Sequence, residues 1–171
     1  MAAFSIFPIV PGPNQGKNTH PTEVNAVQST PTFKRGAVVI STSGLITEAT
    51  TAPTSGIVGI TCDQALNPDG SNNRDTADSI VRYLPVSGDE VFEGTFANNG
   101  AAVALAQTDL YTAYGLTKDS SGVWYVDKNV TSTSACAVIV GFKGTDDGTA
   151  TIGQYNARVY FKIKKSMQAV A

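Results

Sequence analysis

From residue 33 onward the chain never runs far without a turn former. Short stretches rich in Val, Ile, Thr and aromatic residues alternate with Gly, Asn, Asp and Pro, and this punctuation is that of an all-β sandwich or barrel. No amphipathic helix longer than two turns fits between the breaks. The apolar runs fall at 33–41, 45–49, 56–62, 79–84, 90–96, 101–105, 116–118, 123–126, 135–142 and 158–164, and amount to about eight or nine short strands. Residues 101–105 suit strand and helix alike, and are read as strand. Thr108 can cap one helical turn over 109–114, with Asp109 at its positive end. Two hairpins are expected, one joining 79–84 to 90–96 and one turning through Asp119-Ser120-Ser121-Gly122. The run 135–142 reads as a central strand covered on both faces. In 158–164, Val159, Phe161 and Ile163 alternate with Arg158, Tyr160, Lys162 and Lys164, as on a strand with one wet side.

Residues 1–32 differ. They hold five of the eight prolines and only two formally charged side chains, Lys17 and Glu23, and show no hydrophobic period. Two parts follow: an extended Pro-rich N-terminal arm, 1–32, and a single β-rich domain, 33–171. The arm is nevertheless apolar at Phe4, Ile6, Phe7, Ile9 and Val10, while Pro8, Pro11, Pro13 and Pro21 forbid a helix through it. Burying those five side chains contributes about 1.5–3 kcal/mol each, and fixing the backbones of residues 4–10 costs about 1–2 kcal/mol each. These nearly cancel. As a partner-binding anchor the five residues therefore need strand addition to a sheet edge, or many copies acting together. Packing on its own domain is the competing reading.

The 171 residues suit one domain with one core. Charged residues make up 15% and the net charge is −2, so the electrostatic footprint of a nucleic-acid binder is missing. No run approaches the roughly 20 apolar residues of a membrane span, and Met1 to Val10 lacks the basic start of an export signal. A soluble product of a reducing cytoplasm is expected, in which Cys62 and Cys136 are free buried thiols, although one bridge between them is conceivable.

The residues offer little for catalysis. His20, the one histidine, stands in the arm, away from any Ser or Cys that it could activate. Asp69, Ser71, Asn73 and Asp75 are spaced like calcium ligands, but Arg74 and Ile80 replace the turn glycine and the bidentate Glu of such a loop. Glu90 and Glu93 point to opposite faces of a strand, and Asp146 and Asp147 sit in a turn composition. No enzyme, cofactor or metal site is expected. Trp124, Tyr125 and Tyr160 could form a sugar-binding surface, which makes a phage tail, fibre or other carbohydrate-binding module the alternative function. A lone Trp in a hairpin is more often core.

One resemblance runs through the chain. Phe33-Lys34-Arg35-Gly36-Ala37-Val38-Val39-Ile40, then Gly44-Leu45-Ile46-Thr47-Glu48-Ala49 and Gly56-Ile57-Val58-Gly59-Ile60, resembles the opening of capsid decoration (cement, or head-stabilisation) proteins of tailed bacteriophages. Glu90-Val91-Phe92-Glu93-Gly94, Tyr114-Gly115-Leu116-Thr117-Lys118-Asp119, Val123-Trp124-Tyr125-Val126-Asp127 and Arg158–Ile163 agree with it, so that it spans about 33–164. The resemblance implies a non-enzymatic virion protein, made in the host cytoplasm. It would sit on the outer capsid surface, bridge major capsid subunits and stabilise the expanded, DNA-filled head. It also implies sibling copies, with a trimer favoured, and no catalytic residue.

Overall fold

The computed structural model describes residues 6–8, 22–24, 34–62, 81–86, 90–143, 153 and 158–169. The protein is all-β: the described residues form twelve strands and three single 3₁₀ turns, with no α-helix among them.

Five strands close into a barrel. They are β7 (Phe92–Asn98), β10 (Trp124–Asp127), β9 (Ala113–Lys118), β11 (Ala137–Lys143) and β12 (Arg158–Ile163), paired in that order, with β12 returning to β7. Every pairing is antiparallel except β7 with β10. β1 (Ile6–Pro8) lies on the first half of β7, and β8 (Ala101–Ala102) on its end. The second sheet, order β2-β6-β5-β3-β4, is antiparallel throughout. Its strands are β2 (Thr22–Val24), β6 (Val81–Pro85), β5 (Ile57–Thr61), β3 (Val38–Thr42) and β4 (Leu45–Glu48).

Period-two alternation builds the barrel interior. Phe92, Gly94 and Phe96 of β7 face in, as do Leu116 of β9, Val126 of β10, Ile139 of β11 and Val159, Phe161 and Ile163 of β12. The Phe92 and Phe161 rings meet at 5.7 Å and those of Phe96 and Tyr114 at 5.4 Å, both tilted, geometries that aromatic pairs favour. Val38, Ile46, Ile57, Ile60 and Leu84 of the second sheet join the same buried cluster, so the two sheets share one core.

Polar ties lock them together. Glu48 of β4 accepts from Trp124 Nε1 and Lys118 Nζ, each at 2.7 Å. The Ala52 amide donates to Leu116 O at 3.0 Å, and the Ala169 amide donates to Ile57 O at 2.8 Å. Thus the chain end leaves the barrel and returns to the second sheet.

The turns follow their chemistry. Ser43 and Gly44 both have positive φ, 52° and 79°, as a two-residue hairpin between β3 and β4 needs. Asp119 Oδ1 accepts from the amides of Ser121 and Val123, at 2.8 and 2.9 Å, and sets the β9–β10 hairpin. β12 alternates as its pattern requires, with Val159, Phe161 and Ile163 buried.

Four expectations change. β11, whose run 135–142 reads as covered on both faces, buries Ala137 and Ile139 but leaves Val138, Val140 and Phe142 half-buried on its other positions. The run 79–84 and the run 90–96 are not a hairpin: β6 belongs to the second sheet and β7 to the barrel. The Val86 amide instead continues the β5 pairing by donating to Val58 O at 3.0 Å, and the alternation of Phe92, Gly94 and Phe96 fits the barrel interior. Residues 109–114 are not a capped helical turn. Gln107–Asp109 is a 3₁₀ turn in which Asp109 Oδ2 accepts from the Ala106 amide at 2.8 Å, while β9 already starts at Ala113. Of 101–105 only Ala101–Ala102 is strand.

The arm differs too. It supplies one strand to each sheet, β1 to the barrel and β2 to the edge beside β6. Three-residue strands are too short to display a period, which is why the pattern hides them.

Candidate functional site

The place where the arm meets the domain is the most constrained site among the described residues. β1 runs antiparallel to β7 with Ile6 opposite Gly94, Phe7 opposite Glu93 and Pro8 opposite Phe92. Ile6 is only 1% exposed. Gly94 beside it leaves little spare room: a Cβ there would crowd Phe161 Cε1 at 3.1 Å and touch both Ile6 Cγ1 and Val126 Cγ2 at 3.4 Å. Ile6, Phe161 and Val126 therefore share the space that a larger residue at 94 would fill.

The opposite wall is the turn 34–37. Gly36 has φ +81°, and a Cβ on it would fall on the Ile6 carbonyl oxygen. Only glycine satisfies both the left-handed backbone and the backbone-to-backbone approach. Thr61, fully buried on β5, holds this turn. Its hydroxyl donates to Lys34 O at 2.9 Å and accepts from the Ala37 amide at 2.9 Å, while its carbonyl accepts from the Gly36 amide at 2.9 Å. The slot is thus made by the barrel on one side and the second sheet on the other, and one strand end fills it.

Other buried charges are tied into the framework. Asp109, 1% exposed, accepts from Tyr114 Oη at 2.6 Å and pairs with Lys128 Nζ at 2.8 Å. Burial pushes its carboxyl up, but Lys128, Tyr114 and the Ala106 amide outweigh it and hold the group below its ordinary value. The Tyr114 phenol is pushed upward by burial and by Asp109. On β10, Asp127 accepts from the Asn99 and Asn129 amides at 2.8 and 3.0 Å; burial and the Asp127 charge push the Tyr125 phenol up to about 12. On the outer barrel face Glu93 pairs with Arg158 Nε at 2.8 Å and Lys143 Nζ at 3.1 Å. Cys136 is buried, its thiol pushed up to about 11 by desolvation, and neither cysteine is in a disulfide. A thiol so placed is a poor nucleophile.

Family models, curated proteins and solved structures were each compared with the chain, and none matches. What the site does must therefore be argued from its own geometry.

Ile6, expected from sequence to bind a partner with packing on its own domain as the competing reading, lies buried beside β7 of the same chain, where an intramolecular strand fills the β7 edge without the entropy loss of association. Phe4, Ile9, Val10 and the side chain of Phe7 lie outside the described residues, as do His20, Asp69, Ser71, Asn73, Asp75, Asp146 and Asp147. Trp124 is 1% exposed and Tyr125 3%, so neither ring has a free face for a sugar, and Tyr160 is left half-buried on its own. Glu93 is engaged with two cations rather than poised beside Glu90. The sequence signals neither the slot residues Gly36, Gly94 and Thr61, whose roles depend on strands far away in the chain, nor the buried role of Asp109, which reads as a helix-end charge although it lies between the apolar Leu105 and Tyr114.

Proposed function

We propose that this chain is a non-enzymatic structural protein that decorates the outer surface of a tailed-phage head, bridging major capsid subunits and stabilising the expanded, DNA-filled shell. One observation carries the reading beyond the resemblance over residues 33–164: ionisable side chains, the half-buried Glu48 and the buried Asp109 and Glu93, tie separated parts of the chain together. Glu48 joins β4 to β9 and β10, Asp109 joins the 3₁₀ turn to β9 and Lys128, and Glu93 joins β7 to β11 and β12. Such use of charge suits a module that resists deformation rather than one that turns over a substrate. The sugar-binding alternative is not retained, since two of its three rings are buried.

The test is co-sedimentation of the full-length protein with heads of the phage that encodes it. Saturable binding to expanded, empty shells, absent with unexpanded ones, is the expected result. A chain that stays in the supernatant with expanded shells is not a decoration protein.

A further inference from the structure

We infer that β1 is an exchangeable plug: two copies of this chain can trade their first strands, so that Ile6 of one sits opposite Gly94 of the other. The inference goes beyond the proposed function and holds whatever surface the protein binds.

Four observations lead there. Among the described residues β1 pairs with β7 alone, and it also meets the Gly36 turn and β5. It can therefore leave without breaking any other strand pairing. Its hold is short, three residues with one buried side chain whose burial is described, Ile6, and a strand held by so few contacts belongs to the part of a fold that opens most readily.

The slot left behind is not neutral. Its floor is apolar, from Phe161 and Val126, and the stretch of β7 from Phe92 to Gly94 loses one of its two neighbours. An unpaired strand edge beside an apolar hole captures another strand. Finally, the hole is selective. Gly94 admits an aliphatic side chain and Gly36 admits only bare backbone against it, a shape matched by the sequence Ile-Phe-Pro that every copy carries. Exchange of an identical element needs no new interface, which makes it a low-cost route to an oligomer. Pro8, within β1, favours it further, because it fixes its own φ and biases the residue before it toward extended backbone.

Two full-length variants separate donor from slot. Ile6→Asp spoils the plug and keeps the slot; Gly94→Val blocks the slot and keeps the plug. Mixed, they have one productive pairing, the Gly94→Val plug in the Ile6→Asp slot. Native mass spectrometry with one partner isotope-labelled is expected to show a heterodimer at least ten times more abundant than in a mixture of labelled and unlabelled Ile6→Asp. Should either variant not fold, Phe7→Cys and Glu93→Cys, placed on separate full-length chains at directly opposed positions, are mixed under mild oxidation. A disulfide mapped between positions 7 and 93 of different chains is then expected. Absence of both the heterodimer and the 7–93 link overturns the inference.

Discussion

Changing Gly36 to alanine is expected to destabilise the protein by about 3–5 kcal/mol, far more than an exposed loop glycine would. The left-handed backbone alone costs an L-residue about 1–2 kcal/mol. The added Cβ would also fall on the Ile6 carbonyl oxygen, so β1 or the turn must move. Loss of β1 forfeits the burial of Ile6, about 1.5–3 kcal/mol. Gly44→Ala is the matched control: its φ is +79° and a Cβ there meets nothing within 4 Å, so only the backbone cost applies. Urea unfolding followed by Trp124 fluorescence measures both. Equal losses in the two variants would mean that the arm does not press on residue 36.

Removing the Asp109 carboxylate is expected to cost about 3 kcal/mol, since a hydrogen bond to a charged group contributes about 1.5–3 kcal/mol and the buried Tyr114 hydroxyl then loses its acceptor. Lys128 is partly exposed and can turn to water, which keeps the loss below that of a fully buried broken pair. A pH dependence follows from the same group. Its carboxyl is held below the ordinary value in the folded state, so the stabilisation is fully present above the unfolded pKa, about 3.9, and is lost as pH falls through the lower folded value. The urea midpoint of the wild type should decline below about pH 4. Asp109→Asn, less stable at pH 7, should decline less steeply there. An unchanged acid slope in the variant would remove Asp109 from the acid response.

These two sites mark what could and could not be read from the chain. The strands after residue 33 were legible because each carries its own evidence: β-branched alternation in 158–164, and turn chemistry at Ser43-Gly44 and Asp119. The β6–β7 hairpin failed because turn composition is local, whereas the choice of sheet is decided by which side chains fit the barrel. The dipeptide Asn99-Gly100 is a strong hairpin signal, and it does join β7 to β8. The strand after it is only two alanines, which carry no β signal of their own. The slot was illegible for another reason. Ile6, Gly36, Gly94 and Phe161 are far apart in sequence, and nothing near any one of them announces the other three. An apolar leader with prolines looks the same whether it grips another protein or docks on its own fold, and the missing side chains at 36 and 94 become telling only once the fold sets them against Ile6.

The most direct measurement is methyl NMR of the full-length protein with its isoleucines labelled and Ile6 assigned by an Ile6→Val variant. The expected result is nuclear Overhauser contact from the Ile6 methyls to the Phe161 ring and the Val126 methyls. Ile6 methyls at random-coil shifts, with no contact to either residue, would contradict the claim that the first strand docks on β7 and buries Ile6 against the barrel.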